Sequence, residues 1–240
     1  MFHRSVDSDL PSDADREEPA GPQEDDRFAA ARRQMVEEQL WDRDITDPRV
    51  LKVMGGIPRE RFVPAELRNH AYEDHPLPIG FGQTISQPYI VALMAQVARP
   101  SPEDRGLEVG VGSGYEAAVL AGLCKHVYGL EILDALAASA RQRLAALGYA
   151  NVSVRCGDGY QGWPEEAPFD VVLVSAAPDH VPPPLIDQLA PGGRLVIPVG
   201  GHNQELLLIE KRLDGGLQRS RVAPVQFVPM TGEASKPAER

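Results

Sequence analysis

From Gly106 onward the chain alternates short apolar runs with helix-patterned segments, and this alternation constrains its fold more than any other feature. LEVGVG is apolar and ends in glycines; the helical YEAAVLAGL follows it. HVYGLEI reads as a strand and ALAASARQRLAALG as a helix stopped by glycine. NVSVRCGDG and FDVVLVSAA read as strands, PLIDQLAPGG as a helix with a glycine stop, and RLVIPVG as a strand again. Strands separated by helices at this spacing form βαβ units, whose crossovers cover both faces of a parallel sheet. Beyond them, ELLLIEKRLDGGLQRSRVAPVQFVPM reads as a hairpin turning at Asp214, Gly215 and Gly216. The expected class is α/β, a doubly wound and mostly parallel sheet with helices on both faces and a C-terminal hairpin.

Upstream the pattern predicts an N-terminal helical cap. Phe28, Met35, Val36 and Leu40 can share one helix face. Asp47 and Pro48 make a cap and first-turn pair, with Gly55 and Gly56 as the stop, so a second helix should run through Val50, Leu51 and Met54. A third should follow Pro88 and bury Ile90, Val91, Met94 and Val97 or Ala98. Residues 1–26 are acidic, Pro/Gly-containing and poor in aromatics. Such a segment buries too little apolar area to offset its ordering entropy, so a disordered tail is expected, or else an acidic docking arm. Residues 27–232 are read as one domain, with the cap and a substrate loop over 27–100, the sheet over 101–232, and a flexible tail over 233–240.

The formal net charge is -11 and no Lys/Arg-rich block stands out, which argues against a nucleic-acid partner. Cys124 and Cys156 fit neither a metal spacing nor a disulfide framework, and no histidines pair at ligand spacing, so no metal site is expected. No apolar run reaches the ~18 residues of a membrane span, and the N-terminus lacks the apolar segment of a signal peptide. A cytoplasmic protein with no membrane partner is expected.

LEVGVGSGY places Gly110, Gly112 and Gly114 between a strand and a helix. Glycines there let a ligand approach the backbone, beside the free N–H groups of a helix start. A dinucleotide site wants G-x-G-x-x-G, whereas the spacing here is G-x-G-x-G followed by Tyr115. Glu108 lies just before the loop, where a carboxylate disfavours a pyrophosphate and suits an α-ammonium group. The balance tilts to S-adenosyl-L-methionine, whose sulfonium and ammonium are positive. Glu131 ends the next strand, about twenty residues on, where a carboxylate can accept from both ribose hydroxyls. Asp158, in CGDGY, can accept from the adenine amino group, with the Gly159 N–H near a ring nitrogen; a plain Asp-Gly turn is the alternative. All three sit at the C-terminal ends of successive strands, where open α/β sheets bind ligands.

Methyl transfer from a sulfonium needs little covalent help from the protein, and a carboxylate acceptor is already ionised at neutral pH. What it needs is alignment and exclusion of water. The segment IGFGQTISQPY, residues 79–89, fits neither a strand nor a helix and carries polar donors, so it is the candidate acceptor loop. Ser86 is also well placed as an N-cap for the helix at Pro88. The two roles are compatible, because a helix N-terminus favours an anion.

YEDHPLPIGFGQTISQPYIVALM, LEVGVGSGYEAAVLA, GDGYQGWPEEAPFDVVLVSAAP and QLAPGGRLVIPVG together resemble protein-L-isoaspartate O-methyltransferases, over about residues 35–231. The resemblance implies a seven-stranded methyltransferase sheet and a monomeric enzyme of protein repair. Such an enzyme methylates the free carboxylate of L-isoaspartyl residues in proteins and peptides, and the ester then collapses to a succinimide. It implies that Ser86 belongs to the active site, with Thr84 and Ile85 in the wall of the cofactor pocket and Gln83, Thr84, Ser86 and Thr231 toward the substrate. It implies that Glu108, Gly110, Gly112, Ser113 and Gly114 form the cofactor loop, Glu131 the ribose acid, and Asp158 and Gly159 the adenine contacts. Val111, Glu116 and Phe81 depart from the residues common in the family. The alternatives are a methyltransferase acting on another carboxylate or a small molecule, and a cofactor-binding module without catalysis.

Overall fold

The structure is a computed structural model that describes residues 23–235. Its N-terminal part comprises α1 (Gln23–Gln34), a π-helical continuation (Met35–Trp41), α2 (Pro48–Gly56), two 3-10 turns (Arg59–Phe62 and Ala65–His70), β1 (Leu77–Gly80), β2 (Gln83–Ile85) and α3 (Pro88–Ala98). There follow β3 (Arg105–Val109), α4 (Tyr115–Ala121), β4 (His126–Glu131), α5 (Asp134–Ala146), β5 (Val152–Cys156) and β6 (Phe169–Val174). The chain then forms α6 (Pro183–Asp187), β7 (Leu189–Val199), β8 (Gln204–Lys211) and β9 (Leu217–Val225).

Seven strands form one sheet in the order β5-β4-β3-β6-β7-β8-β9. The strands from β5 to β7 are parallel, while β8 and β9 add antiparallel to β7 as the expected hairpin. Along β6, Val171 and Leu173 pack on one face and Val172 and Val174 on the other, and all four are buried. Burial of both alternating sets is the mark of a parallel sheet covered on two sides. One face carries α3, α4, α5 and the N-terminal cap. The other is covered more thinly, by α6, by Tyr160 and Trp163, and by Met230 of the C-terminal segment.

The cap helices follow their sequence signals. The Asp47 carboxylate accepts from Arg49 N, Pro48 occupies the first turn, and Val50 and Met54 are buried. Helix α1 begins at Gln23, inside the stretch read as a tail over 1–26. It is held because Arg32 donates to the Gly55 carbonyl (3.0 Å) and to the Tyr72 hydroxyl (3.2 Å). The rest of that stretch, 1–22, lies outside the described residues, as does 236–240 of the tail read over 233–240. Residues 233–235 belong to a 3-10 turn, Gly232–Ser235.

Three expectations are corrected. PLIDQLAPGG is not one helix: α6 stops at Asp187 and β7 begins at Leu189. Lys211 Nζ donates to the carbonyls of Ile186, Asp187 and Leu189, which closes the helix end with a cation. Pro191, Gly192 and Gly193 then form an irregularity in the β6–β7 ladder, not a helix stop. Residues 79–89 are not irregular throughout, since β1 and β2 pair Leu77 with Ile85 and Pro78 with Thr84. The turn residues Gly80, Phe81 and Gly82 all have positive φ (92°, 54° and 70°). Finally, Ser86 does not cap α3. The N-cap is Gln87, without a side-chain bond, and its backbone carbonyl accepts from Ile90 N and Val91 N.

Candidate active site

β3 lies between β4 and β6, so the chain leaves the sheet in opposite directions on its two sides. A crevice at this point, beyond the carboxyl ends of the strands, is where open α/β sheets take ligands. A cleft of about 1000 Å³, counted out to open solvent, opens there. Its walls come from the β1–β2 hairpin, the glycine loop after β3, the ends of β4 and β6, and residues 228–231.

Gly110, Gly112 and Gly114 take φ of 89°, 51° and 89°, in the left-handed region that side chains resist. Gly110 and Gly112 line the cleft and Gly114 does not. A Cβ on Gly114 would lie 3.2 Å from Leu144, so its smallness serves the packing of α4 on α5. Ser113 is buried beside them, and its carbonyl accepts from Arg143 (2.7 Å).

Three carboxylates line this cleft, and all are nearly inaccessible to solvent: Glu108 (1%), Glu116 (6%) and Glu131 (6%). Glu131 is well supported. One oxygen accepts from Gly112 N (2.8 Å) and the other from Leu133 N (3.0 Å), which leaves a lone pair on each for a diol. Glu108 and Glu116 are not. Glu108 Oε2 and Glu116 Oε1 are buried without a hydrogen-bond partner. Glu116 Oε2 accepts from the Ser175 hydroxyl. Burial, together with the charges of Glu116 and Glu131, pushes the Glu108 carboxyl well above its usual range. Burial pushes Glu116 up to about 7, against the opposing pull of Ser175. A site that buries acceptors without donors fits a ligand that brings N–H groups and positive charge. The amino-acid end of S-adenosyl-L-methionine has both, so the residues present fit this cofactor.

Thr84, Ile85, Ser86, Gln83, Gly159 and Thr231 also line the cleft. Asp158 does not. Its oxygens accept from Tyr160 N (3.0 Å) and Glu233 N (2.8 Å), so it ties the end of β5 to the C-terminal segment. The segment is further fixed to the loop after β6: Ala177 N donates to the Val228 carbonyl and Met230 N to the Ala177 carbonyl, both at 2.8 Å.

A second cleft adjoins the first and is walled by Pro76, Gln87, Ile90 and residues 224–228. Thr84, Ser86, Ser175 and Val228 line both. Gln83 and Thr231 line only the first. Behind Ser86 lies Arg59, fully buried, which donates to the carbonyls of Ala71 and Ser86 at 2.7 Å each and stacks over the Tyr115 ring. The sequence marks Glu116 only as a departure from the residue common in the family, and it does not single out Ser175 or Arg59. Ser175 follows β6, the strand beside β3, so the strand-end rule that located Glu131 also points to it. Glu116 stands in the first turn after the glycine loop. Arg59 carries no local signal.

Comparison with known proteins gives a consistent result. The family profile of Protein-L-isoaspartate(D-aspartate) O-methyltransferase matches residues 30–235. A protein-L-isoaspartate O-methyltransferase from Synechococcus sp. (strain JA-2-3B'a(2-13)) is 58% identical over 221 residues, covering 89% of this chain and 90% of its own. One from Syntrophobacter fumaroxidans is 53% identical over 219 residues, covering 87% and 89%. Among solved structures, a protein-L-isoaspartate O-methyltransferase superposes with TM-score 0.77 at 30% identity, over 85% of this chain and 67% of its own. A beta-aspartate methyltransferase from Plasmodium falciparum, in complex with S-adenosyl-L-homocysteine, does so with TM-score 0.73 at 27% identity, over 83% and 98%. On the match along nearly its whole described length, this chain belongs to the protein-L-isoaspartate(D-aspartate) O-methyltransferase family.

Proposed function

We infer that this chain transfers the methyl group of S-adenosyl-L-methionine to the free carboxylate of L-isoaspartyl residues in damaged proteins and peptides, the first step of their repair. The observation that carries the reading is the meeting of two clefts at Thr84, Ser86 and Ser175. One cleft fits the cofactor, and the other leaves room for an extended peptide beside it.

When bound, the cofactor supplies an electrophilic methyl group on a sulfonium that leaves as a neutral thioether. The chain's own residues orient and desolvate. Glu131 holds the ribose, while Gly110 and Gly112 let the ligand reach the backbone. Gly159 and the 228–231 segment close the opposite wall. Ser86 and Thr84 hold the acceptor carboxylate at the junction of the clefts, and Ser86 is the one residue assigned an active-site role. Arg59 fixes the Ser86 peptide from behind through the carbonyl bond. No general base is required, because the acceptor carboxylate is ionised at neutral pH. The enzyme's contribution is proximity and water exclusion, for which positioning alone can supply several kcal/mol, up to ~7–11.

Among the described residues no helix is long and apolar enough to cross a membrane. A monomer acting in the cytoplasm on isoaspartyl proteins completes the proposal. The test is radiolabelled methyl transfer to matched peptides differing only in isoaspartate or aspartate. Transfer to the isoaspartyl peptide alone is expected. Equal transfer to both would move the function to another acceptor.

A further inference from the structure

Glu108 and Glu116 are costly as they stand. Each is buried, each leaves one carboxylate oxygen without a donor, and both line the same cleft. An unpaired buried acceptor is destabilising, and an unpaired carboxylate more so. Glu116 is held in place by a single side-chain bond, from Ser175. The charged groups that face the pair are themselves acidic: Glu116 and Glu131 act on Glu108 from α4 and β4. No lysine, arginine or histidine is paired with either among the described residues. A built site with surplus acceptors and no internal cation is a receptor for an external one.

We propose that Glu116, anchored by Ser175, is a second carboxylate for the α-ammonium group of S-adenosyl-L-methionine, and that the Glu108–Glu116 pair gives up a proton when that group binds. The inference rests on the cofactor reading and extends it to a residue and a linkage. Without ligand, the two carboxylates cannot both ionise cheaply at close quarters, so the pair retains a proton. On binding, the ammonium N–H groups satisfy Glu108 Oε2 and Glu116 Oε1. Its positive charge stabilises both carboxylates in the ionised form. The proton leaves to solvent, and no bond to carbon is made or broken. The direction of the Glu108 and Glu116 shifts agrees with this, since both carboxyls are held above their ordinary values.

The consequence is measurable without turnover. Binding of S-adenosyl-L-homocysteine, which carries the same ammonium, should tighten about tenfold between pH 5.5 and 7, below the ~7.7–8 range where an α-amino group itself titrates. Titration calorimetry in buffers of different ionisation enthalpy should show net proton release at pH 6.5. Glu116→Gln should weaken binding, cut the release to less than about half, and flatten the pH dependence to under about twofold. Ser175→Ala removes a donor that lowers the Glu116 value, so the pH at which affinity levels off should move upward. The Ser175 variant keeps the test available if the Glu116 variant does not fold. Wild-type binding that is independent of pH and buffer would overturn the inference. So would a Glu116→Gln protein that releases as many protons as wild type, or an unchanged midpoint in Ser175→Ala. If the wild type binds neither S-adenosyl-L-methionine nor S-adenosyl-L-homocysteine, it is the cofactor reading that fails.

Discussion

Ser86 illustrates how a single residue's role changes between sequence and structure. Locally it reads as a helix cap, since hydroxyl residues before Pro commonly start helices. In the fold Gln87 takes the cap position and Ser86 lines both clefts, while its carbonyl accepts from the buried Arg59. The hydroxyl therefore has no structural bond for a substitution to break. Ser86→Ala should leave the melting temperature within about ±0.5 kcal/mol equivalent of wild type. It should lower kcat/KM for an isoaspartyl peptide by about 10–100-fold, the loss of a hydrogen bond to a charged group at ~1.5–3 kcal/mol. Unchanged turnover in a folded variant would remove Ser86 from the mechanism. Asp158 also gains a structural role. Its motif suggested a ligand contact, and its two oxygens each accept from a backbone N–H, of Tyr160 and of Glu233.

That engagement matters at the scale of elements, because it joins two pieces far apart in sequence. Asp158 follows β5, and Glu233 lies in the 3-10 turn Gly232–Ser235, after the segment that walls the first cleft. Gly232 is forced by the same contact, since a Cβ there would stand 2.5 Å from Asp158 Oδ2. Asp158→Ala should leave two N–H groups without their acceptor, at ~1–3 kcal/mol if they stay buried. Limited proteolysis should then cut residues 226–235 faster than in wild type, and cofactor affinity should fall with it. Equal protease resistance would show that the segment is held without the Asp158 bonds, by those from Ala177 and Gln204. The hairpin of β1 and β2 was illegible for a related reason. Its strands are short, its turn holds a left-handed phenylalanine between two glycines, and Ile85 is buried only by packing that a local pattern cannot reveal. By contrast β6 was legible as an apolar run buried on both faces, and β5, at the sheet edge, by the alternation of Val152 and Val154 with Ser153 and Arg155.

For the whole molecule, the cost of the cofactor site should appear in global stability. Glu116 rises from an ordinary 4.5 to about 7 in the fold, and Glu108 is raised further by its neighbours. In this case the folded state holds protons that the unfolded chain has released, so stability falls as pH rises. The contribution is fully present below about 4.5 and lost as pH climbs through about 7. For Glu116 alone the span is up to roughly 3 kcal/mol, at 1.36 kcal/mol per pH unit. Denaturant unfolding of the ligand-free protein should show this decline between pH 5 and 7.5, and Glu116→Gln should reduce it. A variant with the wild-type slope would mean that the pair is solvated in solution.

The sequence by itself determined the layered α/β class, the glycine loop, the carboxylate at the end of β4, and the family. Each of these depends on residues close together along the chain or on strand periodicity. Only the tertiary structure decided which polar groups share a cavity. Glu116, Ser175 and Arg59 come to Glu108 and Ser86 from different elements, through packing across the sheet and cap. Which carboxylate oxygens go without a donor, and therefore what the site is prepared to bind, depends on those distances and on the water they exclude.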